Sequence, residues 1–373
     1  MKGIWLSIKQ FVKELDKILL LLCLCASSIS CLALLSLYKH DNLTLKAVII
    51  QTFAVVAGVI AACVISRIDY TLMTKLWKIH MPLAVFLVVL TYFIGIAPTE
   101  LADDRAWLDL GITTFQPSEL LKLSFIFTFA LHLSKVGENI NTRKSFLLLC
   151  LHGAVPTTLI MLQGDFGTAL VFLSIFAVMM FTAGLSAKWI LAGLVGCVVA
   201  APIIWNYVLP DYLQNRFLIA WHPENDPANV GMQQFKGRMA LGSGELYGRG
   251  LFNEDLFYVT EARNDFIFSY IGQTLGFVGT IITLLIITLL CVKILLTAKM
   301  SKDKLGVYIC VGVFAIFLFQ SIINIGMVLC VLPVVGITLP LFSQGGTSVL
   351  ISYMAMGMVM SVYRVNKKEL MFD

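Results

Sequence analysis

The chain has 373 residues, of which 59% are hydrophobic and only 13% are charged, and its mean hydropathy is +0.89. A soluble domain carries about a quarter charged residues, so this composition excludes a protein folded around one water-soluble core. Lipid is therefore predicted to solvate much of its surface. The net charge of +5 could suggest an anionic partner, although the positions of the charges matter more than the total.

Ten apolar segments approach the roughly 20 residues that a bilayer-spanning helix needs. The run from Ile18 to Tyr38 is too long for the core of a signal peptide and is predicted to be a retained first span. The sequence therefore predicts a single all-α polytopic membrane domain over 1–373, with an external loop at about 209–265. The predicted spans are 18–38, 46–65, 79–97, 119–135, 145–163, 166–186, 188–208, 266–291, 305–330 and 346–364.

Basic residues indicate the orientation of these spans. If the N-terminus is cytoplasmic and ten spans alternate, 18 of the 27 Lys and Arg residues lie on the cytoplasmic side and eight on the external side. Positive residues favour the cytoplasmic side. Both termini are therefore predicted to be cytoplasmic, and five of the eight external cations fall in the loop at 209–265.

That external loop is rich in glycine, proline, cations and aromatic side chains. Its aromatic content predicts an ordered cap over the bundle rather than a disordered linker. Either it is a lid without chemistry, or its cations bind an anionic group such as a diphosphate. The four loop cations that suggest the second interpretation are Arg216, Lys236, Arg238 and Arg249. Nucleic acid is not expected as a partner on the external face.

Two acidic positions at span boundaries have a structural and a functional interpretation. Asp265 directly precedes the eighth span, where it can cap the helix or act as a general base at the membrane surface. Glu119 and Lys122 lie one helical turn apart in the fourth span, where they can form a local ion pair or contact a phosphate. Asp226, before a proline, and Asp165, beside a glycine, are predicted to be turn or capping residues first.

Other chemistries lack their sequence patterns. The glycine-rich segment 242–250 has no GxxxxGK[ST] motif and follows no strand, so it is not predicted to be a P-loop. Neither a GxSxG elbow nor an HExxH motif is present. The nine cysteines lie in apolar stretches without metal-binding spacing, so no protein-only metal site is predicted.

Motifs distributed over nearly the whole chain resemble those of the SEDS family of peptidoglycan glycosyltransferases, which includes RodA, FtsW and SpoVE. They occur in the family's order, which makes the combination more specific than any one motif. The matching stretches are Trp107–Gly111, Phe115–Glu119 with Lys122, Gln163–Thr168, Arg216, Asp226, Gln233, Gly242–Gly250, Glu261–Phe268, Asn324 and Ser343.

The resemblance implies a polymerase that extends glycan strands from lipid II and serves cell elongation and shape. Asp265 matches the family's catalytic aspartate, and Lys122 and Arg216 are candidates for holding diphosphate charge. A divalent cation, Mg²⁺ or Mn²⁺, could share that role, although the sequence shows no cage for it. The further substrate-binding candidates are Trp107, Gln116, Glu119, Asp226, Gln233, Glu261, Arg263 and Ser343.

Some family positions are changed here. The family's arginine before the tryptophan is Ala106, its His-Thr before the aspartate is Arg263-Asn264, and its Gln-Ser pair in the large loop is Lys236-Gly237. These differences indicate a divergent member. The short tails resemble RodA more than FtsW.

The resemblance also implies partners and a location. The expected substrates are lipid II and a lipid-linked nascent glycan, and the expected protein partner is a class B penicillin-binding protein, a transpeptidase. The expected location is the bacterial cytoplasmic (inner) membrane. Two other functions stay open at this point: a lipid II flippase or other transporter, and a scaffold without catalysis that recruits the penicillin-binding protein.

Overall fold

A computed structural model describes residues 14–40, 43–97, 105–111, 113–207 and 209–372. Its long helices are α1 (Lys17–Lys39), α2 (Leu45–Arg67), α4 (Trp77–Ile94), α5 (Pro117–Val136), α6 (Arg143–Met161), α7 (Phe166–Thr182), α8 (Ala187–Tyr207), α11 (Ile267–Met300), α12 (Lys304–Val328) and α13 (Gly346–Phe372). Its shorter elements are α3 (Tyr70–Lys75), α9 (Asp211–Ile219), α10 (Met232–Ser243) and an antiparallel hairpin of β1 (Leu108–Asp109) and β2 (Thr114–Phe115).

The long helices coincide with the ten predicted spans. Within the described residues, nine are long and apolar enough to cross a membrane, and α7, at 17 residues, is the shorter tenth. The prediction of an all-α polytopic membrane protein is confirmed. The α12 and α13 helices form the centre of the bundle, since 72% of each span is buried, whereas α8 has no buried residue and faces lipid.

The eighth span is longer than predicted, since α11 continues nine residues beyond position 291 to Met300. The prediction stopped there because Lys293 interrupts the apolar run. In the fold Lys293 reaches Asp16, with 3.0 Å between Nζ and Oδ2. Asp16 also caps α1 by accepting a hydrogen bond from the Leu19 N–H. The ion pair therefore makes a lysine tolerable within a continuous helix.

The α11 helix is broken at Gly276, whose φ of 66° lies in the left-handed region. The glycine-rich segment 242–250 enters this break. Arg249 and Gly250 donate backbone N–H groups to the carbonyls of Gln273 and Thr274, at 2.9 and 3.0 Å, while the N–H groups of Phe277 and Val278 bond back to the segment. Backbone freed by a break must be paired inside the protein at membrane depth. The segment supplies that pairing.

The loop at 209–265 is ordered, as predicted, but it packs into the bundle instead of only covering it. Its helix α10 lies against α11 and α12. The side chain of Gln234 is fully buried and donates to the carbonyls of Met327 and Leu332, at 2.9 and 2.8 Å. Gly237 has no side chain, and the ring of Phe266 occupies that space. These contacts fix the loop next to the start of α11.

Candidate active site

A cavity of about 410 Å³ opens where several helices begin. It is called the main cavity below. Its lining includes Gln116 before α5, Phe166 at the start of α7, Asp265 before α11 and Gly346 at the start of α13. A helix N-terminus carries partial positive charge and free N–H groups. Four such termini at one cavity favour an anionic ligand there.

Eight of the eleven site residues predicted from the sequence line this cavity. They come from the residue before the hairpin, the start of α5 and the loop at 209–265, so only the fold brings them together. The eight are Trp107, Gln116, Glu119, Arg216, Gln233, Glu261, Arg263 and Asp265.

The backbone that carries Asp265 is held by three consecutive hydrogen bonds from elsewhere in the chain. The carbonyl of Arg263 accepts from the Gln344 N–H at 2.7 Å, and that of Asn264 accepts from the Ser343 hydroxyl at 2.6 Å. The carbonyl of Asp265 itself accepts from the Asn324 amide at 2.8 Å. Because each bond crosses to α12 or to the last external loop, the position of Asp265 depends on both.

Asn324 is fully buried within the apolar helix α12. Its amide nitrogen bonds to the carbonyls of Asp265 and Ile337, at 2.8 and 2.7 Å. Gly336, next to Ile337, has a φ of 68° and lies beside the Asp265 carboxylate, since a side-chain carbon there would be 3.8 Å from Oδ2. The Asn324 amide thus connects the residue before α11, Asp265, to the loop at Gly336 and Ile337 that faces the Asp265 carboxylate.

Charged groups of both signs line the main cavity. The cations are Lys46, Arg216 and Arg263, and the carboxylates include Glu261 and Asp265. A carboxylate can take a proton from a hydroxyl within hydrogen-bond reach, and nearby guanidinium groups can stabilise a leaving group that gains negative charge. The arrangement therefore suits group transfer between a hydroxyl and a diphosphate-linked substrate.

A buried polar cluster forms another part of the wall. Glu119 pairs with Lys122 at 2.8 Å, and the side chains of both are almost completely buried. Asp165 accepts hydrogen bonds from the amide of Gln116 at 3.0 Å and from the Thr168 N–H at 2.8 Å, so it caps α7. Burial raises the pKa of Asp165 above its usual range, although the hydrogen bonds from Thr168 and the charge of Lys122 act against that rise.

Three predicted site residues do not line the main cavity. Lys122 lies behind Glu119 and is fully buried. Asp226 accepts from the Asn229 amide and the Val230 N–H, at 3.0 and 3.1 Å, which is the turn role that its position before proline favours. Ser343 is buried, and its hydroxyl donates to the carbonyl of Asn264 and accepts from the Leu339 N–H. Lys122 and Ser343 can act only through their neighbours in this conformation.

Within the described ranges, no group of three His, Cys, Asp or Glu residues is close enough to hold a metal ion. The residues present therefore do not form a protein cage for Mg²⁺ or Mn²⁺, which prefer several oxygen ligands. That a divalent cation could share the diphosphate charge stays a prediction.

Comparisons with known proteins identify the family of this chain. The family model of the FtsW, RodA and SpoVE cell cycle proteins matches residues 13–368. The chain belongs to this family. It is 33% identical over 320 residues to stage V sporulation protein E of Bacillus subtilis, covering 83% of this chain and 85% of that protein. It is 34% identical over 268 residues to the peptidoglycan glycosyltransferase MrdB of Escherichia coli K12, covering 70% and 72%.

Solved structures of family members have the same fold. Rod shape determining protein RodA of Thermus thermophilus is 25% identical, with a TM-score of 0.67 over 94% of this chain and 97% of that one. A chain from a peptidoglycan synthase complex that coordinates polymerization and crosslinking is 27% identical, with a TM-score of 0.78 over 94% and 98%. This family member is accordingly a multi-pass membrane enzyme, a peptidoglycan glycosyltransferase.

Sequence reasoning missed several polar residues that line the main cavity. Gln320 lies within the apolar span α12, and a polar side chain at membrane depth was a signal that could have identified it. Lys46 and Gln344 also line the cavity and were not among the predicted site residues. Asp165 was assigned a capping role, which is confirmed, but it also faces the cavity.

Proposed function

We propose that the protein extends glycan strands from lipid II at the main cavity. The observation that carries this proposal is the position of Asp265, whose carboxylate borders a cavity lined by three cations and four helix N-termini. A diphosphate-linked donor suits the positive groups, and a sugar hydroxyl suits the carboxylate.

In the proposed reaction, Asp265 takes the proton of the 4-hydroxyl of an acceptor N-acetylglucosamine. The oxygen forms a bond to the anomeric carbon of the lipid-linked muramyl sugar as the bond from that carbon to the diphosphate oxygen breaks. The electron pair leaves with undecaprenyl diphosphate, and Asp265 later returns its proton to solvent. Attack opposite the leaving group inverts an α-linked donor and gives a β-1,4 bond.

The residues around Asp265 have separate proposed roles. Arg216, Arg263 and Lys46 stabilise the charge that develops on the diphosphate, where fixed cations increase the rate as well as the affinity. Trp107, Gln116 and Gln233 contact the sugars from the cavity wall. Glu119 and Lys122 hold the wall in place as a buried pair.

The test is glycan-strand synthesis from purified lipid II with the wild-type protein and with Asp265→Ala. Asp255→Ala is the matched control, because Asp255 is an exposed carboxylate of the same external segment that does not line the main cavity. Wild-type and control proteins should make polymer, and folded Asp265→Ala should make none. Parallel reactions with Mg²⁺, Mn²⁺ or a chelator test the cation requirement.

Two other outcomes would change the assignment. Polymer from Asp265→Ala would keep the enzyme but move the base, and Glu261 would be the next candidate because it lines the cavity while Asp226 does not. No polymer from the wild type, even with its partner and divalent cations, would favour the transporter or the scaffold.

We also propose the cellular setting that the sequence predicts: the bacterial inner membrane, both termini cytoplasmic, a class B penicillin-binding protein as partner, and a role in elongation and shape. The similarity to a chain of a peptidoglycan synthase complex supports such a partner. Depletion in the native host should give rounded cells. Filamentous cells would instead assign the protein to division.

A further inference from the structure

A second cavity, of about 320 Å³, adjoins the main cavity. It lies between the end of α1, which contributes Leu37 and His40, and the segment 254–263. Glu261 and Arg263 line both cavities. The two spaces therefore share a wall, and that wall immediately precedes Asp265 in the chain.

The shared wall has a fixed and uncommon backbone. Glu261 has a φ of 57°, in the left-handed region that residues other than glycine rarely occupy. Its carbonyl accepts from the N–H groups of Asn264 and Phe266, at 3.0 and 3.2 Å, and its carboxylate accepts from the Asn264 amide at 2.6 Å. Such backbone conformations persist where the surroundings hold them, often at binding sites. Glu261 is thereby held between the two cavities.

The lining of the second cavity offers hydrogen-bonding groups of several kinds. Carboxylates come from Glu254 and Glu261, a guanidinium from Arg263 and an imidazole from His40. The Nε2 atom of His40 is buried and has no hydrogen-bond partner among the residues that the structure describes.

Aromatic rings complete this lining. Tyr258 is 62% exposed and Phe257 is 43% exposed, although both contribute to the cavity. The charged groups of this lining are of both signs, as they are in the main cavity, so charge alone does not select the ligand. Each ring has a cation over one face, with Arg249 at 5.0 Å from the centroid of Phe257 and Lys236 at 5.9 Å from that of Tyr258. The remaining accessible ring surface, beside mixed donors and acceptors, suits a ligand with an apolar C–H face and many hydroxyl groups. A pyranose ring is such a ligand.

We propose that the second cavity is a sugar subsite that holds part of the glycan strand adjacent to the sugars that react at Asp265. This inference rests on the proposed polymerase function. A strand that spans both cavities across Glu261 and Arg263 stays bound between additions. The subsite therefore controls the length of the product and does not take part in the bond-forming step.

Binding is tested first, without any need for turnover. The purified full-length protein is titrated with a soluble disaccharide and tetrasaccharide of alternating N-acetylglucosamine and N-acetylmuramic acid, followed by saturation-transfer NMR. The variant is Tyr258→Ala. The matched control is Tyr247→Ala, another tyrosine of the external segment, which is 79% exposed and lines neither cavity.

The tetrasaccharide should bind more tightly than the disaccharide, and Tyr258→Ala should weaken its binding by about tenfold, as expected for loss of one aromatic contact. Tyr247→Ala should bind like the wild type. His40→Ala provides a second variant from a different element and should weaken binding in the same direction. Equal binding by Tyr258→Ala and Tyr247→Ala, or no advantage of the tetrasaccharide, would overturn the proposal.

Product length is the second readout. With lipid II, Tyr258→Ala should form the first linkage at a rate within about twofold of wild type but release strands several-fold shorter, whereas Tyr247→Ala should give wild-type lengths. Unchanged strand length in folded Tyr258→Ala would contradict the subsite. If the wild type makes no polymer, the polymerase function fails, and the binding titration still decides whether this cavity takes sugars.

Discussion

Asn324→Ala tests whether the position of Asp265 depends on the centre of the bundle. The Asn324 amide is fully buried and bonds to the carbonyls of Asp265 and Ile337, at 2.8 and 2.7 Å. Its removal leaves the buried carbonyl of Ile337 and the part-buried carbonyl of Asp265 without this donor. An unpaired buried acceptor costs about 1–3 kcal/mol, which is enough to let the turn before α11 move.

A movement of the catalytic group by about 1 Å can lower a rate on the order of 100-fold. We therefore expect the kcat for polymerisation by Asn324→Ala to fall by about that factor, with KM for lipid II nearly unchanged, because the residue positions Asp265 without touching substrate. The assay is initial-rate glycan synthesis at several lipid II concentrations, together with thermal unfolding in the same detergent.

Ser321→Ala is the matched control. Ser321 lies one turn earlier in α12 and is equally buried, but its hydroxyl has no hydrogen-bond partner among the described residues. It should keep wild-type kcat. A folded Asn324→Ala protein with wild-type kcat would refute the positioning argument, as would equal losses in the two variants.

Three other changes test separate parts of the fold. Lys122→Met leaves Glu119 charged and unpaired in the protein interior, which should lower the free energy of unfolding by about 3–5 kcal/mol. The double variant with Glu119→Gln should recover part of that loss, and no recovery would contradict the ion pair. Gly276→Ala adds a side chain to a residue with left-handed backbone conformation, against the backbone of segment 246–248. The free energy of unfolding should fall by at least about 1–3 kcal/mol, measured by thermal unfolding. An unchanged stability would contradict the close packing of segment 242–250 against the break at Gly276. Burial raises the pKa of Asp165, so ionisation of this carboxyl opposes folding. The stability associated with its protonated form is present at low pH and is lost as pH rises above the pKa of about 4 that the carboxyl has in the unfolded chain. Asp165→Asn, which can still cap α7, should gain stability relative to wild type from pH 4 to pH 7, and a constant difference across that range would contradict the assignment.

Hydropathy located all ten spans because the requirement for roughly 20 apolar residues is local and can be read along the chain. It failed at the end of α11, where Lys293 looked like the end of a span. The partner that makes this lysine tolerable, Asp16, is nearly 280 positions away in the sequence. No local pattern contains that pairing.

At the candidate site, too, local sequence patterns predicted some features, whereas others depend on contacts between distant segments. Motif order indicated Asp265, Arg216 and Gln233, and the fold places all three at the main cavity. The sequence left open whether Lys122 pairs with Glu119 or contacts a phosphate, because the packing that buries this pair involves segments far apart in the chain. Nor could it show that segment 242–250 pairs with the break at Gly276, since backbone hydrogen bonds between distant segments leave no side-chain pattern.

The sequence by itself determined that lipid surrounds much of the chain and how many spans it has, since both depend on residue type and local order. It also predicted the orientation of the spans and Asp265 as the candidate base. Only the tertiary structure decided that Asn324, Ser343 and Gln344 fix the backbone before α11. It also decided that a second polar cavity shares a wall with the first. Both properties arise from contacts between segments far apart in the chain, and the free energy of those contacts depends on how the helices pack.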